Sequence, residues 1–152
     1  MQQNKINIKN RKAKFQYEIL DKYTAGIKLA GTEIKAIREG KAGIAESFCE
    51  FHRGELYVIN MHVEEYSNAT HFNHNPKTER KLLLNKQELR KLEKQINQSG
   101  LTIIPLRLFI NERGLAKLVI ALCKGKKTHD KRETIKDREN KRRLDRIKKE
   151  YN

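Results

Sequence analysis

The sequence predicts a mainly β protein, an OB-like antiparallel β-barrel over residues 15–124 flanked by two or three helices. A flexible basic leader at 1–14 precedes it, and a basic tail at 125–152, disordered when free, follows. Three observations carry this prediction. Short apolar stretches with period-two alternation or β-branched enrichment recur between brief glycine-containing turns. About six such strands follow one another in sequence, and closure into a small barrel removes their exposed edges. Beyond Cys123 the only large apolar residues are Ile135, Leu144, Ile147 and Tyr151. That is too few to offset the entropy of ordering the segment.

The elements follow in order. Residues 1–14 are polar and basic. Phe15, Tyr17 and Ile19 alternate with polar residues and predict a half-buried strand with all three on one face. Gly26 interrupts it, and Ile27-Lys-Leu29 resumes the pattern. From Thr32 to Glu39 the period changes: Ala30, Ile34 and Ile37 recur at helical spacing, and Gly40 stands where a C-terminal cap belongs. Ser47–His52 and Glu55–Met61 flank Arg53-Gly54 as a hairpin. Residues 62–78 lack periodicity and contain Pro76, which predicts a loop. Asn85 with Glu88 three residues on forms a capping box for a helix whose buried side is Leu89, Leu92 and Ile96, ending at Gly100. Leu101–Ile110 and Leu115–Cys123 form a second hairpin around residues 111–114.

Charge narrows the function. The net charge is +15, and residues 124–152 hold 13 Lys/Arg against 6 Asp/Glu, so both body and tail are basic. Such a chain suits a polyanion, and RNA above others. The tail is built to become a helix on a partner. Glu139–Arg143, Asp137–Lys141 and Asp145–Lys149 are acid-before-base pairs four apart, and Leu144, Ile147 and Tyr151 share a stripe. No run reaches the roughly 18 apolar residues of a membrane span, and the N-terminus lacks a signal-peptide pattern. Cytoplasmic residence and a monomeric state are expected, with Cys49 and Cys123 as buried free thiols.

No catalytic constellation is present: no glycine-rich phosphate loop, no G-x-S-x-G, no helical H-E-x-x-H. Cys49-x-x-His52 with His71-x-x-His74 superficially offers four zinc-type ligands. Residues three apart on a strand point to opposite faces, so the expectation is a buried Cys49, exposed loop histidines and no metal or other cofactor. For RNA, the cations Arg11, Lys12 and Lys14 stand beside Phe15 and Tyr17, whose rings can stack on bases or belong to the core. Lys35 and Arg38 lie on the polar side of the first helix. Lys77, Arg80 and Lys81 precede the leucines at 82–84 and can face phosphate.

Five blocks together resemble the SsrA-binding protein (SmpB) family. They are Asn10-Arg-Lys-Ala13; Ala25-Gly26; Gly31-Thr-Glu-Ile-Lys35 with Arg38-Glu-Gly-Lys41; Arg80-Lys-Leu-Leu-Leu-Asn85; and Lys124-Gly-Lys-Lys-Thr-His-Asp-Lys-Arg132 running on to Ile135-Lys-Asp-Arg-Glu139. The resemblance implies an OB-like barrel that binds the tRNA-like end of transfer-messenger RNA and delivers it to stalled ribosomes. Elongation factor Tu and alanyl-tRNA synthetase are then indirect partners, and the protein is not an enzyme. By position, RNA contacts fall on Asn10, Tyr17, Ala25, Gly26, Leu83 and Asn85. Thr24 stands where the family often has an acid. The decoding site and mRNA channel of the small subunit fall to Gly125, Lys126, Lys127, His129, Asp130, Lys131, Arg132 and Ile147. Composition, barrel and tail alone suit a generic ribosome-associated or ribosome-assembly OB protein equally; only the five blocks separate the two.

Overall fold

The structure, a computed structural model, describes residues 6–69 and 72–126. The expectations for His71 and for the tail from Lys127 onward therefore lie outside the described residues. Among the described residues nine strands are present: β1 (Asn7–Lys9), β2 (Tyr17–Ile27), β3 (Ala42–Gly43), β4 (Phe48–His52), β5 (Glu55–Ile59), β6 (His62–Val63), β7 (Arg80–Leu83), β8 (Leu101–Ile110) and β9 (Ala116–Gly125). Three helices among the same residues join them: α1 (Ala13–Gln16), α2 (Gly31–Arg38) and α3 (Lys86–Ile96). The antiparallel order β8-β4-β5-β7-β2-β9 returns to β8 through a β8–β9 pairing, so six strands close a ring. The predicted barrel is present.

Its interior is filled by alternating residues, among them Val58, Ile103, Leu108, Leu118 and Ile120, with Ile37 of α2 and Leu92 of α3 also fully buried. The predicted turn chemistry holds. Arg53 and Gly54 both have positive φ, 53° and 78°, as a two-residue hairpin turn of the primed type requires. Asn85 Oδ1 accepts the backbone N–H of Glu88 at 2.8 Å and opens α3.

Five expectations are corrected. Residues 7–14 are not a free leader. Ile6 and Ile8, two apart in a polar run, pack on the core while β1 pairs with Arg107–Phe109 on β8. A composition read misses two isoleucines in a segment that pairs with a strand a hundred residues away. Phe15 lies in α1, not in a strand, and Gly26 does not interrupt β2. A bulge between Ile19 and Asp21 shifts the strand's parity. Tyr23, Ala25 and Ile27 therefore face the barrel, whereas Tyr17 and Ile19 join a small outer cluster of Ala13, Ile104, Ala121 and Cys123.

Arg80 does not face phosphate. It is 2% exposed, its Nε bonded to the Glu33 carboxylate and its Nη1 donating to Met61 O at 2.7 Å. The other Glu33 oxygen accepts Ala30 N–H at 2.9 Å, so one carboxylate starts α2 and neutralises the guanidinium. His74 is not an exposed loop histidine. It is buried, with Nε2 2.9 Å from Val63 O and Nδ1 2.8 Å from Thr32 Oγ1. Together these bonds tie His74 and Arg80 to Thr32 and Glu33 of α2.

Candidate nucleic-acid interface

Antiparallel pairing decides which of the expected contact residues meet. At one end of the barrel, Gly26 on β2 stands opposite both Leu83 on β7 and Lys117 on β9. A Cβ built on Gly26 would lie 3.4 Å from Leu83 Cβ and 3.7 Å from Lys117 Nζ, so the bare glycine leaves a shallow opening between a cation and an apolar side chain. Leu83 is 51% exposed, a large apolar side chain presented outward beside it. Asn85 follows two residues later. Its Oδ1 is engaged in the cap, which leaves its NH₂ for an outside acceptor. Thr24 is exposed on the same outer side of β2, whereas Ala25 is fully buried in the core.

Lys81 lies outward on β7 opposite Tyr57, its Nζ donating to Glu55 Oε1 at 3.0 Å. The hydrogen bond from Lys81, with a second from the Tyr57 hydroxyl, holds the Glu55 carboxyl below its ordinary range. The end is braced from behind. The Tyr23 hydroxyl lies 2.9 Å from Gln95 Oε1 on α3 and 3.1 Å from Asp21 Oδ2, and donates its single proton to one of them at a time. Burial first, and the neighbouring Asp21 second, raise its pKa to about 12.

Asn10, Lys12 and Tyr17 do not join this group. Tyr17 lies at the other end of β2, about 30 Å from Gly26 by strand rise, Asn10 lies against Pro105 and Leu106 of β8, and Lys12 precedes α1. Asn10 is a clamp: its Nδ2 donates to Pro105 O at 3.0 Å and its N–H to Leu106 O at 2.8 Å, on either side of the register shift in β8. Lys12 reaches Glu46 Oε1 at 3.4 Å on an exposed surface. Tyr17 is paired with Gly125, and Lys126 donates its backbone N–H to Gln16 O and its Nζ to Lys14 O, both at 3.0 Å. Of the residues expected to serve a decoding site, Gly125 and Lys126 thus sit beside Tyr17. Lys127, His129, Asp130, Lys131, Arg132 and Ile147 lie outside the described residues.

Sequence reasoning missed Lys22 and Arg107, on the outer face of β2 and β8 between the two ends, and Lys117, on β9 at the Gly26 end. Alternation alone turns each outward, but only the register puts them on one surface. Cys49 is buried while His52, three residues on, is exposed, so those two diverge. Among the described residues no group of three or more His, Cys, Asp or Glu gathers where it could hold a metal ion, and no helix is long and apolar enough to cross a membrane.

The chain is similar to proteins named SsrA-binding protein. That of Christiangramia forsetii is 82% identical over 97% of this chain and 94% of the relative. That of Flavobacterium johnsoniae is 63% identical over 97% of each. Among solved structures, a chain of the one described as "tmRNA-SmpB: a journey to the center of the bacterial ribosome" is 46% identical with a TM-score of 0.68, covering 81% of this chain and 86% of that one. With the family described as SmpB protein matching residues 7–150, the chain belongs to the SmpB family.

Proposed function

We propose that this protein is an RNA-binding adaptor. It binds the tRNA-like domain of transfer-messenger RNA (SsrA) and delivers it to stalled ribosomes for trans-translation, without catalysing a reaction itself. The observation that carries this reading is the Gly26–Leu83–Asn85 surface. An apolar side chain, a bare backbone and an amide lie side by side on rigid elements, next to Lys117 and Thr24. This combination fits a folded RNA loop, whose unstacked base can rest on Leu83 while amide and hydroxyl groups meet base edges or 2′-hydroxyls. The relatives' shared name supports the identity of that RNA.

The opposite end supports the ribosomal half of the reading. Gly125 and Lys126 leave the barrel beside Tyr17, so whatever follows them starts far from the Leu83 surface. The RNA and the decoding site are then served by opposite ends of a monomer acting in the cytoplasm. The tail residues Lys127, His129, Asp130, Lys131, Arg132 and Ile147 occupy the decoding site and the empty mRNA channel. Elongation factor Tu and alanyl-tRNA synthetase act through the RNA rather than through this protein.

The test is competition binding of the full chain to transfer-messenger RNA against total tRNA at fixed salt, with a pull-down from a cell extract. Preferential capture of the single RNA with a tRNA-like end is expected. Capture of ribosomal RNA alone returns the protein to the generic ribosome-assembly class.

A further inference from the structure

On the β5 side of the Leu83 surface, two cations meet a carboxylate that is held in place. Lys81 on β7 points to the same side as Leu83, two residues on. Lys28 lies beside it, its backbone N–H donating to Lys81 O at 2.9 Å. Glu55 on β5 faces both, and each of its oxygens is taken. Lys81 Nζ donates to Oε1 and the Tyr57 hydroxyl donates to Oε2, both at 3.0 Å. These two bonds, with the charges of Lys81 and Lys28, hold the carboxyl below its ordinary range, so it is ionised at neutral pH. Glu79 adds a second carboxylate: a hollow of about 480 Å³ is lined by His52, Arg53, Glu55, Tyr57 and Glu79.

Folding gains little from this arrangement. The Lys81 and Glu55 side chains are 36% and 48% exposed, and exposed ion pairs contribute little to stability. Their effect falls on what approaches from solvent. A phosphate that reaches Lys81 finds the ammonium already neutralised and a carboxylate beside it that repels a second anion. RNA without the matching shape binds through phosphate–cation contacts alone and meets this opposition in full. RNA that fits Gly26, Leu83 and Asn85 draws on base and sugar contacts as well. A repulsive group that weighs on the wrong partner more than on the right one raises specificity.

We propose that Glu55 is a specificity-determining residue: it masks Lys81 and turns away RNA that does not fit the Leu83 surface. Tyr57 is its positioning residue. This role rests on the adaptor reading of that surface, and it accounts for how a chain of net charge +15 discriminates there among polyanions.

The experiment measures binding of the full chain and of Glu55→Gln to transfer-messenger RNA and to polyuridylate, which has no tRNA-like fold. Glutamine keeps the size and a hydrogen-bond acceptor and removes the charge. Glu65→Gln, which removes a carboxylate exposed on the loop after β6, is the charge-matched control. Polyuridylate should bind Glu55→Gln about fivefold more tightly, the upper end of what an exposed ion pair is worth. Its slope of log K against log salt should steepen by about 0.7, one added single-strand phosphate contact. The preference for transfer-messenger RNA should narrow accordingly. With Lys81→Gln already in place, the gain from Glu55→Gln should largely disappear. Equal tightening on both RNAs, the same gain from Glu65→Gln, or a gain undiminished by Lys81→Gln each overturns the proposal. Weaker binding of both RNAs with a lower melting temperature also overturns it and makes Glu55 a structural brace. If the unmodified chain shows no preference for transfer-messenger RNA over total tRNA, the adaptor reading falls. Tightening of polyuridylate confined to Glu55→Gln would even then leave the masking of Lys81 standing.

Discussion

The two ends of β2 are built in opposite ways. At the Gly26 end, the proposed contact groups sit on regular elements: two strands paired in register, and a helix opened by a reciprocal capping box at Asn85 and Glu88. At the Tyr17 end they sit on irregular joins, with register shifts in β2 and β8, a four-residue helix and a strand of three residues. A surface on regular hydrogen-bonded elements is stiff and suits recognition by shape. A surface made of turns and long cationic side chains suits phosphate, which demands charge more than fit. On the proposed reading, one barrel carries a shape reader and a charge reader at the two ends of a single strand.

The buried ion pair offers the largest way to break this difference. Arg80 opens β7, the strand that presents Leu83, and Glu33 is its countercharge. In Glu33→Ala the guanidinium stays buried and uncompensated, which costs about 3–5 kcal/mol. Urea unfolding should show that loss, and hydrogen exchange should place the first opening in residues 62–83, not in β1 or β9. A change under about 1 kcal/mol would mean that backbone carbonyls alone satisfy Arg80.

Next comes Leu83→Ala, which tests the shape reader directly. Half exposed, Leu83 contributes little to folding, so stability should stay within about 0.5 kcal/mol. Affinity for transfer-messenger RNA should fall by about 1.5 kcal/mol, roughly tenfold. Unchanged affinity in a gel shift removes this end from the RNA interface.

Asn85 separates folding from contact more finely. Asn85→Ala should cost about 1 kcal/mol of stability through the lost cap. Asn85→Ser should keep the cap while losing the amide NH₂, so it should melt normally and bind RNA more weakly. Normal RNA binding by the serine variant makes Asn85 purely structural. The smallest effect is expected from deleting residues 127–152, which leaves both described ends in place. Affinity for transfer-messenger RNA in a gel shift should change by less than about 0.5 kcal/mol, near twofold. A thirtyfold loss would show that the charge reader extends into the tail and that the two ends are not separate devices.

Local signals in the chain by themselves determined the barrel class, both hairpins and the α3 cap. A primed turn at Arg53-Gly54 or a capping box at Asn85 involves residues within four positions of each other, so spacing carries the physics. Leu83, Gly26 and Asn85 became contact candidates only through the family resemblance, since local pattern assigned the leucines at 82–84 to strand and core. The tertiary structure alone decided that Asn10 and Tyr17 belong elsewhere, because strand register at a distance is set by side-chain packing across the whole sheet. It alone turned Arg80 from a surface cation into a buried one, since nothing near Arg80 in sequence announces Glu33 as its countercharge. It likewise recruited Ile6 and Ile8 from a polar segment to the edge of β8. Burial and long-range charge pairing depend on which surfaces closure brings together, and no local pattern specifies that.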